Sequence, residues 1–260
     1  SERTAAPEKQ ALDPVGTDFV PSNLSPTLDA VAADNPSVYD EGCHRDEEDS
    51  DPSGCRIGEE AEAPLVFLVG DSHAASWYPA LEQLANEGKI RLDSNTKNSC
   101  LPLETEQQFL DRPYDSCAQW RTGVLQRIEQ EQPDLVVLAG FSNRERLLSG
   151  SGADADAQWR DGLAETIAQI DGPPVAVMRD VPTQQKAPNH CLAKNLDTAD
   201  RCATPRTVAF DEPLVEAEAG AVAESGTDAQ YVDLSRYFCN ASTCPAIIGD
   251  TVVFRDSHHL

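Results

Sequence analysis

Two short clusters at opposite ends of a 260-residue chain carry side chains that could cooperate in acyl chemistry. The first is Gly70-Asp71-Ser72, directly after an apolar run, and the second is Asp256-Ser257-His258-His259. A serine hydroxyl is a weak nucleophile until a neighbouring base takes its proton. Histidine suits that task near neutral pH, and a carboxylate bonded to its other nitrogen fixes the tautomer and steadies the imidazolium. Asp256 and His259 stand three residues apart, close enough to share one side of a single turn. Ser72, His259 and Asp256 are therefore the candidate nucleophile, base and orienter.

The elements around Ser72 must present it. Leu65–Val69, bounded by Pro64 and Gly70, reads as a buried parallel strand. Beyond it, Trp77, Leu81 and Leu84 recur at helical spacing. A strand, a tight glycine turn, a serine and a helix expose the hydroxyl at the carboxyl edge of a sheet. The first helical turn then offers N–H groups, that of Ser72 included, to a developing oxyanion. Asp71 reads as a hydrogen-bonding brace for the turn and His73 as packing at or lining the pocket. Trp77 could stack on a sugar ring, with a core role preferred. His258 is expected to face solvent, and His44 and His190 lie in cysteine-rich loops without a catalytic signal.

Further along, strands are expected at 89–97, 134–140, 174–178 and 231–234, and helices at 115–131, 155–170 and 212–225. A loop over 140–150 separates the second of these strands from the helix that follows. The excursion 181–205 and a hairpin-like run 239–254 lead to the terminal Asp-His pair. Strands alternating with helices predict an α/β fold, a three-layer α/β/α sandwich around a parallel sheet. Residues 1–18 read as a linker, 19–63 as an acidic disulfide-closed extension with a helical-looking patch at 24–33, and 64–260 as the catalytic domain.

A formal charge of −25 and a pI near 4.3 argue against nucleic acid or an anionic membrane surface as partner. No apolar run approaches the ~18 residues of a membrane span, and no leader is recognised, so a soluble chain is expected, one that could be part of a longer membrane protein. Eight cysteines fall in four close pairs, Cys43/Cys55, Cys100/Cys117, Cys191/Cys202 and Cys239/Cys244. This reads as a disulfide framework in an oxidising compartment, with sequential pairing preferred for its short loops. The spacings do not suit zinc. Asp49, Asp51, Ser53, Gly54 and Glu60 follow the order of a calcium loop, but Pro52 and a cross-linked Cys55 oppose it. A solvated acidic loop is the preferred reading, and neither metal nor cofactor is expected.

Gly70-Asp71-Ser72 and Asp256-x-x-His259 together resemble the first and last blocks of the SGNH (GDSL-like) hydrolase family. Gly-Asp-Ser-His-Ala, the late Cys239…Cys244-Pro245 and Phe254-Arg255-Asp256-x-x-His259-Leu260 are more specifically similar to the SGNH domains fused to membrane acyltransferase-3 proteins. The resemblance spans roughly residues 60–260. It implies the same sandwich fold and an oxyanion hole built from the N–H of Ser72, a second-block glycine N–H and a third-block asparagine. This sequence departs from both latter patterns. There is no glycine at 98–100, so a backbone N–H of Ser99 or Cys100 would have to serve. The third block reads Gly140-Phe141-Ser142-Asn143, one residue longer and without the following aspartate, leaving Asn143 as either an oxyanion donor or a loop cap.

The resemblance implies transfer of an O-acyl group, acetyl being expected, through an acyl-serine to a cell-surface glycan or glycolipid. The donor would be a membrane acyltransferase-3 domain of the same polypeptide. The location implied is extracytoplasmic and membrane-tethered. A free-standing secreted carbohydrate O-acetyl esterase is the alternative. A catalytically silent carbohydrate-binding module is another, against which the intact Ser72, Asp256 and His259 argue.

Overall fold

Leu65–Gly70 is buried along its whole length in the computed structural model, which describes residues 3–7, 11–148 and 153–260. It lies inside a seven-stranded sheet made of His44–Arg45 (β1), Cys55–Ile57 (β2), Leu65–Gly70 (β3), Arg91–Lys97 (β4), Leu135–Ala139 (β5), Val175–Met178 (β6) and Gln230–Val232 (β7). The order is β1-β4-β3-β5-β6-β7, parallel throughout, with β2 added antiparallel to β4. The chain leaves β3 for β4 on one side and later takes β5 on the other. Such a reversal opens a crevice beyond the carboxyl end of the strand, and Ser72 follows β3 there.

Alternation along the strands builds two cores. Leu65, Phe67, Val69, Val136, Leu138, Val175 and Val177 share one cluster with Trp120, Val124 and Ile128 of the helix Asp115–Glu131, Trp159 and Leu163 of Ala153–Gln169, and Leu214 and Val222 of Glu212–Glu224. Val66, Leu68, Val137 and Ala139 face the opposite way, with Ala74, Ala75, Tyr78 and Ala85. This is the α/β/α sandwich expected from sequence, both faces of the sheet being covered by helices.

The chain forms two compact units, one of residues 36–180 and 213–232, which holds the sheet, and one of residues 1–35, 181–212 and 233–260. In the second, Leu24, Val31, Leu192, Ala199, Ala246, Ile247 and Val252 make a core beside the hairpin Ile247–Ile248/Thr251–Val252. The tail is held to this unit: Thr17 N–H donates to the Ile247 carbonyl (3.0 Å) and Arg236 pairs with Asp13. Of the expected linker, residues 1, 2 and 8–10 lie outside the described residues, as do 149–152 of the later loop and helix approach.

One element expected from sequence is absent. The patch at 24–33 forms only the 3-10 turn Val31–Ala33. Pro26 has no N–H and disfavours helix at Ser25, which instead bridges Thr251 as extended backbone. The four disulfides are Cys43–Cys55, Cys100–Cys117, Cys191–Cys202 and Cys239–Cys244. In the acidic loop, Asp49 and Asp51 cap local turns through the N–H groups of Asp51 (2.8 Å) and Ser53 (3.0 Å) and pair with Arg45. A cation already serves this loop: the buried Lys97 ammonium donates to the carbonyls of Asp46 (2.5 Å) and Asp49 (2.8 Å).

Candidate active site

Ser72 opens a short helix, Ser72–Ala75, at the end of β3. Gly70 makes the turn possible, because a Cβ there would sit 1.7 Å from the Ala139 carbonyl oxygen of β5. Asp71 is the cap: its Oδ1 accepts from the His73 N–H (2.8 Å) and its Oδ2 from the Phe141 N–H (3.0 Å). Burial pushes the Asp71 carboxyl above its ordinary value, against the pull of His73 and these donors. His73, 1% exposed, places Nδ1 2.6 Å from Asp180 Oδ1 and stacks on Phe141 with ring centroids 4.2 Å apart. Asp180 Oδ2 accepts from the Ser142 N–H (2.7 Å). Ser142 Oγ donates to Glu218 (3.2 Å), which also receives the Tyr231 hydroxyl (2.9 Å).

The terminal pair is complete within its own unit. Asp256 Oδ2 lies 2.7 Å from His259 Nδ1, and Oδ1 accepts from the N–H groups of His258 (2.8 Å) and His259 (2.9 Å). Burial alone would raise the Asp256 carboxyl; the His259 side chain and these N–H donors hold it well below the usual carboxylate range. The turn is pinned by Gln184 N–H to the Ser257 carbonyl (2.6 Å) and Arg255 N–H to the His259 carbonyl (3.2 Å). With Nδ1 on the carboxylate, Nε2 is the nitrogen that can take a proton. His258 is the more exposed imidazole, 37% against 12% for His259.

Residues 42–260 match the family described as the SGNH domain fused to AT3 domains. The chain belongs to that family. Among solved structures it is similar to the periplasmic domain of a lipopolysaccharide acetyltransferase from Salmonella ser. Paratyphi A, with a TM-score of 0.59 and 18% identity over 86% of this chain and 82% of that one. At that identity the likeness shows the fold. A protein described as an acylhydrolase from Bacteroides fragilis NCTC 9343 matches at 13% identity over 68% of this chain and 70% of that one, with a TM-score of 0.34, too low to carry an argument. Among curated proteins none matches. Membership of the SGNH family brings acyl transfer or hydrolysis as the class of chemistry and an AT3 domain as associate.

Within this SGNH domain the candidate oxyanion donors differ in what they already bind. Cys100 N–H donates to the Lys97 carbonyl (3.2 Å), and Ser99, at φ 55°, makes the turn that allows it. In the third block the N–H groups of Phe141, Ser142 and Asn143 bond Asp71, Asp180 and the Phe141 carbonyl. Asn143 caps the 3-10 turn Arg144–Arg146, its Oδ1 accepting from Glu145 N–H (2.9 Å). That bond fixes which way the amide points and leaves Nδ2 as the donor of the Asn143 side chain. Trp77 is half-buried against the Val66/Leu68 core. Sequence reading missed Asp180 and Glu218. Each had a signal: Asp180 follows the carboxyl end of a strand, and Glu218 occupies the apolar stripe of Leu214, Ala221 and Val222.

Proposed function

We propose that Ser72 is the nucleophile of an O-acyltransferase, with His259 as its base and Asp256 as orienter. Ser72 Oγ attacks the acyl carbonyl as His259 Nε2 takes its proton; the acyl–oxygen bond of the donor breaks, and the same proton goes to the leaving oxygen. An acceptor hydroxyl then repeats the sequence on the acyl-serine. The N–H groups of Ser72 and Ser99 and the Nδ2 of Asn143 are the oxyanion donors in this reading, while the Cys100 N–H stays with Lys97. The observation that carries it is the 2.7 Å His259–Asp256 bond, which sets the tautomer a serine needs.

The acceptor we propose is a cell-surface glycan or glycolipid, and the group acetyl, supplied by an AT3 domain of the same membrane-tethered polypeptide. Family membership, the oxidised cysteines and the likeness to a lipopolysaccharide acetyltransferase domain support this. Among the described residues no helix is long and apolar enough to cross a membrane, so the tether would lie outside them. The test supplies an acetyl ester with and without acetylatable polysaccharide and compares acetyl-glycan formed with acetate released. Acceptor-dependent transfer that Ser72→Ala abolishes is expected. Rapid acetate release indifferent to any glycan would make the protein an esterase.

A further inference from the structure

We propose that His73 and Asp180 are positioning residues for acyl transfer, holding the Gly140–Asn143 loop against the turn that carries Ser72. Two carboxylates tie the same two segments together. Asp71 gives one oxygen to the His73 N–H and the other to Phe141 N–H; Asp180 gives one to the His73 imidazole and the other to Ser142 N–H. The loop is thus fastened at two successive amides, and the His73 ring lies flat on Phe141, 20° from parallel. Glu218 holds the same loop from behind through Ser142 Oγ.

This is a costly way to hold a loop. Asp71 and His73 are 1% exposed, Glu218 5% and Asp180 9%. Taking charges out of water offsets much of their attraction, and apolar side chains of similar volume would stabilise a fold as well or better. What a buried hydrogen-bonded network adds is a single geometry, because each donor and acceptor is costly to leave unmatched. The loop so fixed carries Asn143 from the carboxyl end of β5, beside the end of β3. The role rests on the reading of Ser72 as nucleophile and Asn143 as oxyanion donor. A displacement of about 1 Å at such a donor costs on the order of a hundredfold in rate.

The test compares Asp180→Asn, His73→Ala, His73→Asn and Ser72→Ala in the full chain, with p-nitrophenyl acetate as substrate. Asp180→Asn and His73→Ala should lower kcat by roughly thirty- to a hundredfold with KM changed less than about threefold, as expected when only transition-state contacts are lost. His73→Asn, which returns an N–H near the Nδ1 position, should recover about tenfold over His73→Ala. Folded variants with kcat within about threefold of the parent, or with the loss in KM alone, would overturn the positioning role while Ser72→Ala stays inactive. Turnover retained by Ser72→Ala would overturn the nucleophile itself and the role built on it. Should the substitutions prevent folding, hydrogen exchange on the unaltered protein decides. Strong protection of the Phe141 and Ser142 amides and a slowly exchanging His73 Nδ1 proton support the clamp, and rapid exchange at those sites contradicts it.

Discussion

Two of the histidine–aspartate pairs among the described residues are of nearly equal length and opposite design. His259 Nδ1 and Asp256 are 2.7 Å apart, three residues apart in sequence, with side chains 12% and 39% exposed. His73 Nδ1 and Asp180 are 2.6 Å apart, separated by 107 residues, with side chains 1% and 7% exposed. The first is built by one turn of chain and is partly exposed, as the base proposed for Ser72 would need to be. The second is built by the sheet, which brings the ends of β3 and β6 to one edge, and both its side chains are buried. Distance and residue type therefore do not reveal the role of such a pair. Exposure, and what the remaining oxygen atoms bind, are what distinguish the proposed base from the proposed brace.

The largest effect expected is on the partly exposed pair, Asp256 and His259. His259→Ala should lower kcat/KM by about ten-thousandfold or more, and Asp256→Asn by a smaller factor, since the imidazole stays in place and loses only the carboxylate that orients it and steadies the imidazolium. Neither should move the unfolding midpoint much. The buried pair should show the reverse weighting. Asp180→Ala leaves His73 and the Ser142 N–H facing a vacated buried position and should cost about 3–5 kcal/mol in denaturant unfolding. Asp256→Ala, at a partly exposed site, should cost about 1 kcal/mol or less. Equal losses of stability would dissolve the distinction drawn between the pairs.

A pH series sharpens it further. Burial and the nearby Asp180 push Glu218 from its ordinary 4.5 up to about 7, with the bonds from Tyr231 and Ser142 pulling the other way. The folded state thus holds a proton that the unfolded chain releases. This contribution favours folding most below about pH 4.5, declines as pH rises toward 7 and is level above. Glu218→Gln should flatten the slope in that window, removing a fall on the order of 3 kcal/mol. An unchanged slope would show that Glu218 is not the group that titrates there. The smallest difference expected is between a disulfide of each unit: by loop length alone, losing Cys239–Cys244 should cost about 2 kcal/mol and losing Cys100–Cys117 about 3. Unfolding of the paired Cys→Ala variants checks the order.

What could be read from sequence follows the same division. The strand Leu65–Gly70, its glycine turn and the Asp256–His259 pair are local features, and periodicity or spacing displays them. The strands β3, β5, β6 and β7 and the long helices of the sandwich are equally legible from their apolar residues, whereas β1 and β2 lie in the stretch read as an acidic extension and were not expected. Asp180 was not seen, because its partner is distant in sequence and only the order of strands brings them together. β4 reads Arg-Leu-Asp-Ser-Asn-Thr-Lys and yet is buried from Leu92 to Lys97. Its polar groups are met by residues no pattern links to it, Arg56 and Arg127 at Asp93, and the Asp46 and Asp49 carbonyls at Lys97. The 24–33 patch failed for a local reason, Pro26 outweighing an apparent helical pattern.

The central claim is that Ser72 is activated by His259. Mass spectrometry of the full chain after treatment with a fluorophosphonate tests it most directly. The expected result is a single adduct on Ser72, formed at least about a thousandfold more slowly in folded His259→Ala protein and not at all in Ser72→Ala. An adduct on another residue, or labelling of Ser72 at an unchanged rate without His259, would contradict it.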